Sequence, residues 1–135
     1  MIESYYDSSA DMVTIVATLN DGSYAGWGWG ASMDSTEMVI FSANGDSSSV
    51  GYYYSTGETK PTADPSFAAC YDSSFVNNGD GTVTLTASRP LECSETDFGG
   101  GSYVIQLDVD LELITAWNPD SPDLSFHSGN LLEFT

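Results

Sequence analysis

Residues 82–90 carry the clearest structural signal in the chain, reading Thr82-Val83-Thr84-Leu85-Thr86-Ala87-Ser88-Arg89-Pro90. Apolar side chains alternate with hydroxyl side chains over most of this stretch. Successive side chains of a β-strand point to opposite faces, so the pattern predicts a strand with one face in a core and the other in water. Strands of this two-faced kind are typical of antiparallel sheets.

The same alternation recurs outward from this strand. It runs over Asp11 to Leu19 and over Ser102 to Asp110, continuing through Leu111 and Leu113. Further strands are predicted at Tyr24 to Ala31, Glu37 to Ala43, Val50 to Ser55 and Leu131 to Phe134. Helical periodicity is weak, so we expect at most a short helical turn near residues 65–71. Turn residues at 20–22, 44–46 and 78–81 are suited to hairpins.

These features predict an all-β protein, an antiparallel β-sandwich of immunoglobulin-like type with little or no helix. A length of 135 residues suits one domain spanning residues 1–135. No stretch is apolar for long enough to span a membrane, and the sequence starts with no signal peptide.

The charge balance is strongly acidic, with 20 acidic residues against only Lys60 and Arg89, which gives a net charge of −18. Nucleic acids and anionic membranes would be repelled by such a surface. A protein partner that docks by electrostatic steering should present a basic patch.

The two cysteines, Cys70 and Cys93, form neither a CxxC pair nor a CxxCH motif. Covalent c-type haem is therefore excluded. A single disulfide in an oxidising compartment is the preferred interpretation, and two buried free thiols are the alternative.

The segment Gly26-Trp27-Gly28-Trp29-Gly30 is unusual, because glycine is disfavoured inside strands unless something approaches the backbone closely. Three glycines at alternate positions leave one face of the strand without side chains. A flat ligand, a close contact between sheets or a ring from another strand would each fill that space.

Three further residues are candidates for a binding site. Met33 follows the glycine-rich strand in a polar loop, where it is either a ligand or a rim residue. His127, the only histidine, lies in a loop before the last strand. Arg89 continues the inward face of residues 82–90, and a charge placed there needs an anionic partner, either a protein carboxylate or an acidic group of a ligand.

Taken together, these segments resemble the DOMON family, and in particular its haem-binding cytochrome branch, typified by the cytochrome domain of cellobiose dehydrogenases. The resemblance runs in order from about Met12 to Asn130. It is carried by four segments, namely Gly26 to Met33, Glu37 to Phe41, Ser88 to Leu91 and Phe126 to Asn130.

The resemblance implies one non-covalent haem b, with its iron bound by Met33 and His127. Met38 is the competing ligand, but its strand context beside Val39 and Ile40 favours packing. Arg89 would face a haem propionate, and few other basic residues are present to do so. The remaining predicted haem contacts are aromatic: Trp27, Trp29 and Phe126.

With both axial positions filled, the implied function is reversible one-electron transfer by a secreted carrier that is not itself an enzyme. The resemblance implies a redox partner such as a flavin dehydrogenase, a copper oxygenase or a membrane cytochrome. Two other classes remain open from the residues alone. One is a carbohydrate-binding module with exposed Trp and Tyr side chains, and the other is a structural extracellular domain.

Overall fold

The computed structural model describes residues 2–29, 36–55, 62–63, 70–91, 113–118 and 132–134. These residues form β-strands and one 3₁₀ turn, Gly45–Ser47. The strands are β1 Ile2–Asp7, β2 Met12–Asn20, β3 Ser23–Trp29, β4 Thr36–Ala43, β5 Ser49–Ser55, β6 Thr62–Ala63, β7 Asp72–Asn77, β8 Thr82–Pro90, β9 Leu113–Asn118 and β10 Leu132–Phe134.

The described strands form two antiparallel sheets. The four-stranded sheet has the order β1-β2-β8-β7, and the six-stranded sheet has the order β10-β9-β3-β4-β5-β6. Strands distant in sequence are neighbours in both sheets, since β2 pairs with β8 and β3 pairs with β9. The predicted antiparallel β-sandwich is therefore confirmed.

The core lies between the two sheets and follows the predicted alternation. In β8, Val83, Leu85, Ala87 and Arg89 are each 0% exposed, whereas the positions between them are half-buried. Core residues of the other sheet include Val39 and Phe41 of β4. Period-two patterning thus identifies the inward-facing sides of β2 and β8.

Six of the ten described strands agree with predicted strands, and four were not predicted. Residues 82–90 form β8 as predicted, and β2 to β5 and β10 begin and end within two residues of their predicted bounds. The sequence analysis missed β1 and β7, the edge strands of the four-stranded sheet, and β6 and β9 of the six-stranded sheet. Every residue of β7 is exposed, so β7 carries no inward-facing apolar pattern. The predicted strand Ser102 to Asp110 lies outside the described residues, as does most of the predicted helical turn.

One of the three predicted hairpins is wrong. Residues 44–46 join the paired strands β4 and β5, and residues 78–81 join β7 and β8, so both are hairpin connections. Residues 20–22 instead connect β2 to β3, which lie in different sheets. Gly22 has a φ of 85°, a conformation that glycine adopts without strain. This turn passes the chain from one layer to the other.

No helix in the described parts of the chain is long and apolar enough to cross a membrane.

Replacing Leu85 with Ala tests the core assignment. Leu85 is 0% exposed, and such a truncation should lower the free energy of unfolding by about 2–5 kcal/mol. Val76→Ala is the control, because Val76 is 60% exposed; its effect should stay within about 0.5 kcal/mol. Urea denaturation measures both variants, and equal losses would contradict the assignment.

Candidate functional site

The residues of strand β3 alternate between the two faces of the six-stranded sheet, and the two faces differ in character. Trp27 and Trp29 point into the space between the sheets and belong to the core. Gly26 and Gly28 alternate with them, so they lie on the opposite face. All residues of β3 are buried, so this glycine face is shielded from water although it points away from the other sheet.

The glycine face forms an apolar surface that we call the glycine floor. Gly26 pairs with Ile40 of β4, and Gly28 pairs with Met38. The floor consists of Tyr24, Gly26, Gly28, Met38 and Ile40, with the part-buried Tyr53 packed at its margin. The exposed fractions of Tyr24, Met38 and Ile40 are 3%, 4% and 3%. A centre without side chains next to apolar groups is complementary to a flat apolar ligand.

Between the sheets, a buried ion pair joins β8 to β4. Arg89 Nη1 lies 2.6 Å from Glu37 Oε2, and the two side chains are 0% and 1% exposed. The guanidinium also donates hydrogen bonds to the carbonyl oxygens of Pro90, at 2.9 Å, and Leu91, at 3.3 Å. Because β8 and β4 belong to different sheets, the pair bridges the two layers of the sandwich.

Tyr71 extends this ion pair into a hydrogen-bonded network. Its hydroxyl donates to Oε2 of Glu37, and it accepts a hydrogen bond of 3.0 Å from Nε1 of Trp29. The Arg89 guanidinium carbon lies 5.7 Å from the Trp29 ring centroid and 6.0 Å from that of Tyr71, within the range of cation–π attraction. Burial, followed by the nearby negative charge of Glu37, raises the pKa of the Tyr71 hydroxyl well above its ordinary value.

The structure places three of the predicted site residues. Arg89 faces inward as predicted, and its described anionic partner is a protein carboxylate, Glu37, which was one of the two partners considered. Trp27 and Trp29 share the core with it and lie on the face opposite the glycine floor. The other predicted site residues lie outside the described parts of the chain: Met33, His127 and Phe126.

The structure describes only one of the two cysteines of the predicted disulfide, Cys70. No cysteine among the described residues is free, which for Cys70 agrees with the preferred interpretation. Cys93 lies outside the described residues, so the pairing of the two stays a prediction.

Sequence analysis missed Glu37 and Tyr71 as members of the buried network. A signal for Glu37 was present, because it precedes Val39 and Phe41 at the same two-residue spacing and therefore shares their inward face. Arg89 ends an equivalent row in β8. Opposite charges at the ends of two inward-facing rows indicate a buried pair. Tyr71 precedes β7 and has no pattern of its own, so its place could not be read from the sequence.

The fold is similar to that of β-sandwich cytochrome domains from two dehydrogenases. The cytochrome domain of cellobiose dehydrogenase from Myriococcum thermophilum is similar with a TM-score of 0.69 and 15% sequence identity, over 98% of this chain and 72% of that chain. The cytochrome b domain of pyranose dehydrogenase from Coprinopsis cinerea gives a TM-score of 0.71 and 11% identity, over 98% of this chain and 73% of that one. No protein-family model and no curated protein sequence matches the chain. The β-sandwich fold expected from the resemblance to cytochrome domains of cellobiose dehydrogenases is thus confirmed.

Because Arg89 and Glu37 form a buried pair, we expect strongly non-additive effects of their replacement on the free energy of unfolding. Arg89→Met leaves the Glu37 carboxylate without its cation in the interior and should cost about 3–5 kcal/mol of unfolding free energy. Adding Glu37→Met removes that uncompensated charge, so the double variant should be more stable than Arg89→Met alone. Urea denaturation of the two single variants and the double variant measures the coupling. Additive losses would show that the residues do not act as a pair.

Because the pKa of the Tyr71 hydroxyl is raised in the folded state, we expect the stability of the protein to fall at alkaline pH. The folded state holds the hydroxyl proton more tightly than the unfolded state, whose pKa is about 10. Stability therefore falls as the pH rises from that value toward the raised pKa of the folded state. Tyr71→Phe removes the titrating group, so the stability difference between the wild type and this variant should shrink between about pH 8 and about pH 11. A constant difference in denaturation experiments would contradict the shift.

Proposed function

We propose that the chain is a b-type cytochrome domain, which binds one haem non-covalently through Met33 and His127 and transfers single electrons. The observation that carries this proposal is the glycine floor, a buried, flat and apolar surface in a fold similar to solved cytochrome domains. Haem is planar and largely apolar, so the floor suits one of its faces.

The proposed ligands belong to connections of the sheet that carries the floor. Met33 lies between β3 and β4, the two strands that supply the floor residues. His127 lies between β9 and β10, and β9 pairs with β3 on the side opposite β4. A thioether and an imidazole form a suitable donor set for haem iron. His127 must be neutral to bind iron, with its second ring nitrogen held by a hydrogen-bond acceptor.

In this proposal, the described residues have separate tasks. The glycine floor excludes water from one side of the cofactor. Trp27 and Trp29 support the same strand from the interior instead of touching the haem. Arg89 is assigned to Glu37, since the two form a close and fully buried pair. Phe126, next to the proposed ligand His127, keeps its predicted role as a haem contact.

Bound haem supplies reversible one-electron chemistry, and a methionine ligand favours the reduced iron relative to a second imidazole. The protein would then act as a carrier and not as a catalyst. A secreted location and a disulfide between Cys70 and Cys93 complete this proposal.

The described surface favours a partner with a basic docking face. Arg89 is the only basic residue in the described parts of the chain, and it is buried. The described surface therefore carries carboxylates with no exposed cation. A flavin dehydrogenase is a partner of the proposed kind, since both solved neighbours are named as domains of dehydrogenases. Such an association should weaken with rising salt.

The carbohydrate-binding alternative receives less support. That function would use exposed aromatic rings as a stacking platform. Trp27 and Trp29 are only 5% and 2% exposed, so neither is available for stacking on a sugar, and the exposed aromatic side chains of the described residues are Tyr5, Tyr6 and Phe75.

Ligand substitution tests the function directly. Wild-type protein reconstituted with haem should show sharp low-spin absorption bands after reduction with dithionite. Met33→Ala and His127→Ala should each abolish these bands, because each removes one axial ligand. Met38→Leu is the matched control, because it keeps an apolar side chain on the floor and should preserve the bands. Failure of the wild type to retain haem, or loss of the bands only in Met38→Leu, would contradict the proposal.

The floor itself is tested by Gly28→Val. This change adds a branched side chain on the proposed haem face while leaving both ligands intact, so haem retention after gel filtration should fall sharply. Thr84→Val places the same valine side chain on the outer face of the four-stranded sheet, where it replaces a threonine of similar size, and should retain haem. Circular dichroism confirms that both variants remain folded. Normal haem retention by folded Gly28→Val would place the cofactor elsewhere.

A further inference from the structure

Four aromatic rings form a continuous chain through the core. The ring centroids of Trp27 and Trp29 are 5.8 Å apart in an edge-to-face arrangement. Trp29 is hydrogen-bonded to the Tyr71 hydroxyl at 3.0 Å. Tyr71 stacks on Tyr52 with centroids 4.6 Å apart and ring planes at 22°. Electron transfer between aromatic groups is rapid at such short separations.

The groups around these aromatic rings favour Tyr71 over Trp29 as the residue that is oxidised. The Arg89 cation lies close to both rings and opposes a positive charge on either of them. An oxidised tyrosine ring becomes neutral by losing its hydroxyl proton, which moves the positive charge from the ring to the proton acceptor. Tyr71 already donates this proton in a hydrogen bond to the Glu37 carboxylate, so an internal acceptor is in place.

We propose that Tyr71 is a redox-active tyrosine, connected by Trp27, Trp29 and Tyr52 and coupled to Glu37 by proton transfer. A strong one-electron oxidant, of the class that light or peroxide generates, takes one electron from Tyr71. The Tyr71 O–H bond breaks and its proton moves to Glu37 Oε2. The products are a neutral phenoxyl radical, a neutral carboxylic acid and the reduced oxidant.

The same geometry allows the site to be reset. Tyr52 is only part-buried and stacks directly on Tyr71, so it provides a path by which a one-electron reductant in solution, such as ascorbate, returns the electron. The proton then moves back from Glu37 to the Tyr71 oxygen. While Glu37 is neutral, Arg89 keeps its hydrogen bonds to Pro90 and Leu91 but has lost the negative charge of Glu37, which favours return of the proton once Tyr71 is reduced. This activity depends on the aromatic chain and not on a bound haem.

The test is flash oxidation of the purified full chain by photogenerated tris(bipyridine)ruthenium(III), with tyrosyl radicals followed by transient absorption and electron paramagnetic resonance. A buried radical is protected from coupling to other radicals, so the wild type should show a long-lived component. Tyr71→Phe should lose most of this component. Glu37→Gln should slow its formation several-fold, because an amide does not accept the proton. Tyr5→Phe is the control, since Tyr5 is 55% exposed and should contribute only to rapidly decaying radicals.

Full retention of the long-lived component in Tyr71→Phe would overturn the proposal, as would its absence from the wild type. A second measurement on the wild type alone is independent of whether the variants fold. Because Glu37 is an internal acceptor, the rate at which the long-lived radical forms should not change with buffer concentration. Acceleration by added buffer base would show that the proton leaves to solvent, which also contradicts the assignment.

Discussion

The buried ion pair between Arg89 and Glu37 is the constraint on which the arrangement of the sandwich depends. Burying two charges is costly, and their attraction offsets that cost only when the geometry and the surrounding hydrogen bonds are good. Here Arg89 meets Glu37 at 2.6 Å and two backbone carbonyls, and Glu37 also accepts from Tyr71. The pair can form only when β8 and β4 present these residues to each other across the core. It therefore contributes specificity of register more than net stability.

The register of β4 in turn determines which side chains lie on the glycine floor. Successive side chains of a strand alternate between faces, so an inward Glu37 places Met38 on the outer face beside Gly28. The hydrogen bond between Trp29 and Tyr71 holds the inward side of β3 in the same way, with Gly28 on the outer side. A slip of one residue in either strand would put a charge or an indole ring on the floor. The same register of β3 and β4 therefore places the polar network in the interior and the glycine floor on the outer face of the sheet.

Much of this could be read from the sequence, and the failures have physical causes. Strands β2 and β8 were predictable because one face of each is buried, which produces a two-residue period of apolar side chains, and β4 was predictable as a short apolar run buried on both faces. The edge strands β1 and β7 carry no such period, since neither strand has a buried face. The glycine-rich segment was recognised as a flat surface, but sequence alone did not separate the glycine face from the tryptophan face in function. The partner of Arg89 was left between a carboxylate and a propionate, because pairing across two sheets depends on long-range topology.

The most direct test of the account is a crystal structure of the haem-loaded protein, with the iron located by its anomalous scattering. The account predicts an iron peak on the outer side of the six-stranded sheet, with the haem over Gly26 and Gly28 and with Met33 and His127 as its ligands. An iron position between the two sheets, or a haem bound by other residues, would contradict it.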